Sequence, residues 1–115
     1  MSESGWQDFD LAQIVERAEA QEAPYLEFLR VPQLSCGIYS LTAGSSDTQT
    51  THDEDEVYCV LKGRATVRLG DEVKHLGPGS ILYIPADRDH AFTEILEDLS
   101  LLVFFGSGGP SGARV

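Results

Sequence analysis

Two spaced patterns hold the residues of this sequence best suited to chemistry. The first runs Gly44, five residues, Thr50, one residue, His52, three residues, Glu56, six residues, Gly63; fifteen residues on, the second runs Gly79, five residues, Pro85, one residue, Asp87, two residues, His90, three residues, Glu94. Imidazole and carboxylate groups brought to one point from separate strands are ligands for a divalent metal ion. His52, Glu56 and His90 form such a set. Extended backbone sends alternate side chains to the same side, so Thr50, His52, Glu54 and Glu56 are expected on one face of their segment, and His90, Phe92 and Glu94 on one face of theirs.

Each residue also has a plainer reading. Alone, His52 is a surface histidine in an acidic loop, with Asp53, Glu54 and Asp55 following it. Taken with Glu56, Gly63 and the second pattern, ligation is the better account. Glu56 would be an edge-strand carboxylate, except that the following Val57-Tyr58-Cys59-Val60-Leu61 is too apolar for an exposed edge. A glutamate turned inward needs a compensating charge, and a metal supplies one. His90 competes with a hydrogen-bonded core histidine. Glu54 reads as a solvated carboxylate. Glu94 is expected to line the cavity by parity with His90, where a second carboxylate near a metal-bound one would carry a raised pKa and could move protons. Tyr39, Tyr58, Tyr83 and Phe92 are candidates to line the same cavity, although aromatics on such strands are more often core. His75 falls outside both patterns and is expected on an exposed hairpin.

Elements must position these groups. Asp10 with Gln13 suggests a capping box, and Leu11, Ile14, Val15 and Ala18 make one apolar helical face that ends near residues 21–23, ahead of Pro24. From Tyr25 onward short β-branched and aromatic runs are separated by Gly, Pro, Asp or Ser. Strands are expected at about residues 25–31, 34–42, 56–61, 65–69, 72–76, 81–84, 90–95 and 99–105. Lys62-Gly63 and Gly70-Asp71 read as tight reversals, and Gly77-Pro78-Gly79 as another break. Many short strands with one helix favour an antiparallel barrel or sandwich. The domain organisation expected is an N-terminal segment with a short helix (1–22), one β-barrel domain (23–105) and a flexible tail (106–115) that holds four glycines and a proline.

Composition narrows the class. The 115 residues suffice for one core, and 42% hydrophobic residues with ten aromatics support a packed interior. A formal charge of −11 repels phosphate backbones and anionic bilayers, which disfavours nucleic-acid and membrane partners. Cys36 and Cys59 form no CxxC pair, no secretory apolar region follows Met1, and no apolar run is long enough to span a bilayer, so a reducing cytoplasm is the expected compartment. Parity turns Cys59 away from the ligand face. No GxSxG, Cys/His dyad, Walker loop or dinucleotide fingerprint appears.

Laid on these strands, the two patterns resemble those of the cupin superfamily. Its first motif is usually Gly, five residues, His-x-His, three or four residues, Glu, six residues, Gly; its second is Gly, five residues, Pro-x-Gly, two residues, His, three residues, Asn. Here Gly44, His52, Glu56, Gly63, Gly79, Pro85 and His90 stand in register, while Thr50 takes the place of the leading histidine, Asp87 of the inner glycine and Glu94 of the asparagine. The resemblance covers residues 44–94 with strands on both sides. It implies an all-β double-stranded β-helix, or jelly-roll barrel, and carries over His52, Glu56 and His90 as ligands of one divalent metal ion per chain, with Thr50 at a vacant ligand position. Two histidines and one carboxylate resemble the facial triad of non-haem iron oxygenases, and the set also suits Mn, Ni, Zn or Cu. The expected partner is a small organic molecule, handled by dioxygenase-like chemistry or by Lewis-acid isomerisation or decarboxylation. A non-catalytic metal- or metabolite-binding module and a metal-free interaction barrel are the alternatives. The resemblance also implies a homodimer.

Overall fold

The computed structural model describes residues 5–45 and 53–106. Thr50, His52 and residues 107–115 of the expected tail lie outside the described residues. Helix α1 spans Leu11–Ala20, and eight strands follow: β1 Tyr25–Val31, β2 Leu34–Leu41, β3 Asp55–Lys62, β4 Ala65–Leu69, β5 Glu72–Leu76, β6 Ile81–Ile84, β7 His90–Ile95 and β8 Leu99–Gly106. They form a five-stranded sheet in the order β1-β2-β8-β3-β6 and a three-stranded sheet in the order β5-β4-β7. All the pairings described are antiparallel. This is the antiparallel all-β arrangement that the strand pattern predicts and the jelly roll that the motif resemblance implies.

Strand alternation builds two apolar layers. Tyr58, Val60, Val67, Phe92, Leu101 and Val103 point between the sheets and form the main core. The opposite face of the five-stranded sheet offers Ile38, with Leu26, Leu61 and Leu102 beside it, and α1 covers these with Ile14, Val15 and Ala18. Fully burying an isoleucine such as Ile14 or Ile38 contributes about 1.5 to 3 kcal/mol. Asp10 stands at the N-cap in an extended conformation, but its side chain makes no capping hydrogen bond. The expected capping box therefore does not form; the helix is held by its packed face, as short helices generally are.

Two glycine positions set the chain's path around the site. Gly63 has φ +93°, and a Cβ there would collide with the carbonyl oxygen of Asp98. The chain leaves the five-stranded sheet for the three-stranded one at this point, and only a residue without a side chain fits. Gly70, at φ +61°, closes the β4–β5 hairpin.

Candidate functional site

Glu56 and Tyr58 project inward from β3, and His90 projects inward from the first position of β7 in the other sheet. All three are 1% exposed. The Tyr58 hydroxyl donates to Glu56 Oε1 at 3.0 Å and lies 3.3 Å from His90 Nε2. His90 Nε2 stands 3.5 Å from Glu56 Oε2. The other imidazole nitrogen, Nδ1, is 3.1 Å from the Arg88 carbonyl oxygen. A carbonyl only accepts, so Nδ1 carries the proton and Nε2 is the nitrogen turned to Glu56. This is the orientation in which metal-binding histidines are generally held, with the non-ligating nitrogen bonded to a carbonyl or carboxylate.

The cluster is positioned from several directions. Tyr58 stacks on Phe92 at 5.6 Å and meets the His90 ring edge-on at 6.2 Å. Asp55 Oδ1 accepts the Ala86 amide at 2.8 Å, tying the start of β3 to the turn that leads into His90. In that turn Asp87 adopts φ +63°, alone among the described non-glycine residues. Asp87 stands where the second motif usually has glycine and adopts the left-handed conformation that glycine favours, which aspartate tolerates better than most residues. The Gly70 amide donates to Asp89 O at 3.0 Å, and Arg68 pairs with the Asp89 carboxylate at 3.1 Å, fixing the turn's far side.

The candidates divide sharply. Glu56, Tyr58, His90 and Phe92 come together. Tyr39 lies further along the inner face, beside Tyr25 at 5.7 Å. Glu94 is exposed and does not join them. Its expected parity with His90 fails because β7 carries a bulge: Val67 pairs with Phe92, while the adjacent Thr66 pairs with Glu94. Thr93 is the extra residue, and beyond it the alternation reverses, so Ile95 takes the core position. Tyr83 is also turned away. It pairs with Val57 and is 54% exposed, because it shares the outward face of Val57 while Tyr58 points in. Cys59 does face away from the ligand side, and both cysteines are free thiols, with burial raising the pKa of Cys36. His75 is exposed on β5, its Nδ1 3.2 Å from Thr66 Oγ1.

Among the described residues no three His, Cys, Asp or Glu side chains converge to hold a metal ion. Glu56 and His90 nevertheless supply two donors of the expected set, buried and aimed at each other. Their chemistry fits a divalent cation, which would offset the buried carboxylate as a proton on Nε2 would.

Residues 37–105 match the cupin domain family. This protein belongs to the cupins. An uncharacterized Streptomyces coelicolor protein, SCO3923, is 42% identical over 97 residues, spanning 84% of this cupin and 92% of the relative. The cupin domain of Schizosaccharomyces pombe Cnp3 superposes with a TM-score of 0.67 at 13% identity, covering 72% of this chain and 63% of that one. The DMSP lyase DddQ of Ruegeria pomeroyi superposes with a TM-score of 0.63 at 23% identity, covering 71% of this chain and 42% of that one. This cupin thus spans less than two thirds of either solved chain, and at such identities the likeness concerns the fold.

The strand pattern did not single out Tyr25, whose ring lies over Gly37 on the inner face. An aromatic residue near a cross-strand glycine was the available signal. Its meaning depends on a pairing that no local pattern fixes.

Proposed function

We propose that this cupin holds one divalent metal ion with His52, Glu56 and His90 and uses it to bind and transform a small organic molecule at the inner face of the barrel. The observation that carries this reading is the burial of Glu56 and His90, from opposite sheets, with Nε2 and Oε2 3.5 Å apart and Nδ1 committed to the Arg88 carbonyl. A carboxylate and an imidazole so deeply buried need a compensating partner, and their placement suits ligation as well as it suits an internal ion pair. The metal would supply Lewis acidity toward a bound oxygen atom or a platform for dioxygen chemistry. Tyr58, donating to Glu56, would orient the carboxylate and hold a proton at the edge of the metal position.

DddQ, a DMSP lyase, shows that the same fold is used for chemistry on a small molecule; a comparable role for this chain is part of the proposal. Elemental analysis of untagged protein tests it, repeated on His52→Ala and His90→Ala. Stoichiometric metal in the parent and its loss in both variants are expected. A folded parent that stays metal-free after reconstitution with Fe, Mn, Ni, Zn and Cu would refute the reading.

A further inference from the structure

The inner face carries a second tyrosine hydroxyl that the cluster at Glu56 does not use. Tyr25 pairs with Tyr39 across β1 and β2, but its ring lies over Gly37, two residues further along β2; a Cβ at Gly37 would collide with Tyr25 Oη. Gly37 pairs with Val103, and Val103 pairs with Tyr58. The Tyr25 hydroxyl, lying over Gly37, therefore stands in the same cross-strand row as Tyr58, with the Gly37 and Tyr58 backbones two strand spacings, roughly 10 Å, apart. Between them β8 presents Val103 and Phe105, and Phe105 also pairs with Glu56. Phe105 and Tyr39 meet the Tyr25 ring edge-on at 6.2 Å and 5.7 Å and are only half-buried, so solvent reaches this aromatic ledge.

The Tyr25 hydroxyl is itself buried and has no hydrogen-bond partner among the described residues. Leaving such a group unmatched is unfavourable, and an arriving acceptor removes that cost. Burial first, then the negative charge of Glu27, pushes its pKa up to about 12, with Arg30 opposing and Glu54 adding to the rise. Through neutral pH it is a donor. The same acidic surroundings repel an anion, because Arg30, the nearby cation, already holds Glu27 through two hydrogen bonds of 3.0 Å and 2.7 Å.

We propose that Tyr25 is a specificity-determining residue whose hydroxyl donates to an uncharged oxygen of the ligand, while the ligand's other end is held at the Glu56–Tyr58–His90 cluster. The ligand class is then a small molecule lying on Phe105 with a neutral carbonyl, amide or hydroxyl oxygen at its far end. This rests on the metal-site reading above.

The test uses Zn(II)-loaded full-length protein with 13C-labelled tyrosine rings and two probes, succinamate and succinate. They share one carboxylate for the metal end and differ in a neutral or anionic far end. Succinamate is expected to bind at least about fivefold tighter than succinate and to shift the Tyr25 ring signals. Tyr25→Phe is expected to weaken succinamate about five- to tenfold, leave succinate nearly unchanged, keep the parent's zinc content, and unfold at or above the parent's temperature. Equal succinamate affinity in parent and variant overturns the proposal, as does failure of succinamate to bind while zinc is retained. If the parent holds no zinc, the metal reading fails, and the same titration on metal-free protein decides the role of Tyr25 by itself. Should Tyr25→Phe not fold, the Tyr25 signals of the parent decide: no shift with saturating succinamate overturns the proposal.

Discussion

The two ends of β3 place opposite kinds of polar chemistry on one strand. At the Glu56 end three polar side chains are sealed at 1% exposure and bonded to one another. At the Lys62 end, six residues and roughly 20 Å away, an open cavity of about 610 Å3 is lined by Glu19, Ser40, Lys62 and Asp98, among others. There Lys62 pairs with Glu19 at 2.9 Å on side chains that are 58% and 46% exposed. The open cleft at the Lys62 end thus carries ordinary solvated charges, whereas the Glu56 end carries buried chemistry. Burying a carboxylate and an imidazole is costly, whereas an open polar cleft costs little, so the sealed cluster is the stronger mark of selection for function.

Substitutions at the two ends sharpen this contrast. His90→Ala strands the buried Glu56 carboxylate and is expected to lower stability by about 3 to 5 kcal/mol in metal-free protein, read by urea unfolding. If the loss is under about 1 kcal/mol, the cluster is not the strongly coupled unit described. Gly63→Ala, at the opposite end, combines φ +93° with a collision against the Asp98 backbone and should cost more than about 2 kcal/mol by the same measurement. Asp87→Gly, beside the site, should raise stability by about 1 kcal/mol by relieving the left-handed conformation, with Asp87→Val moving it the other way. Lys62→Ala should change stability by less than about 0.5 kcal/mol, since exposed ion pairs contribute little. A large effect there would reverse the ranking of the two ends.

Most of the fold was legible because its signals are local. The expected strands agree with β1 to β8 to within one residue at their ends, since short apolar runs bounded by glycine, proline and aspartate leave few other ways to satisfy the backbone. Helix α1 followed from its apolar spacing, although the expected cap did not form. At the site, Glu56, Tyr58, His90 and Phe92 were legible from spacing and parity within regular strands. Glu94 was not, because one extra residue at Thr93 reverses the face of everything after it. Tyr83 was not either, because a four-residue strand does not announce which side it turns to its neighbour.

The sequence by itself determined the class of this protein: glycine registers, strand periodicity and the His, Glu and His positions made it a cupin with one candidate ligand cluster. Tertiary structure decided which side chains share the cluster. Register across strands and the bulge at Thr93 are properties of pairing between distant segments, and a period-two pattern carries no record of them. It also decided that Tyr25 stands in the same row as Tyr58, with glycine rather than a side chain at position 37. Tyr25 and Tyr58 lie more than thirty positions apart in the chain, and β2 and β8 stand between their strands in the sheet.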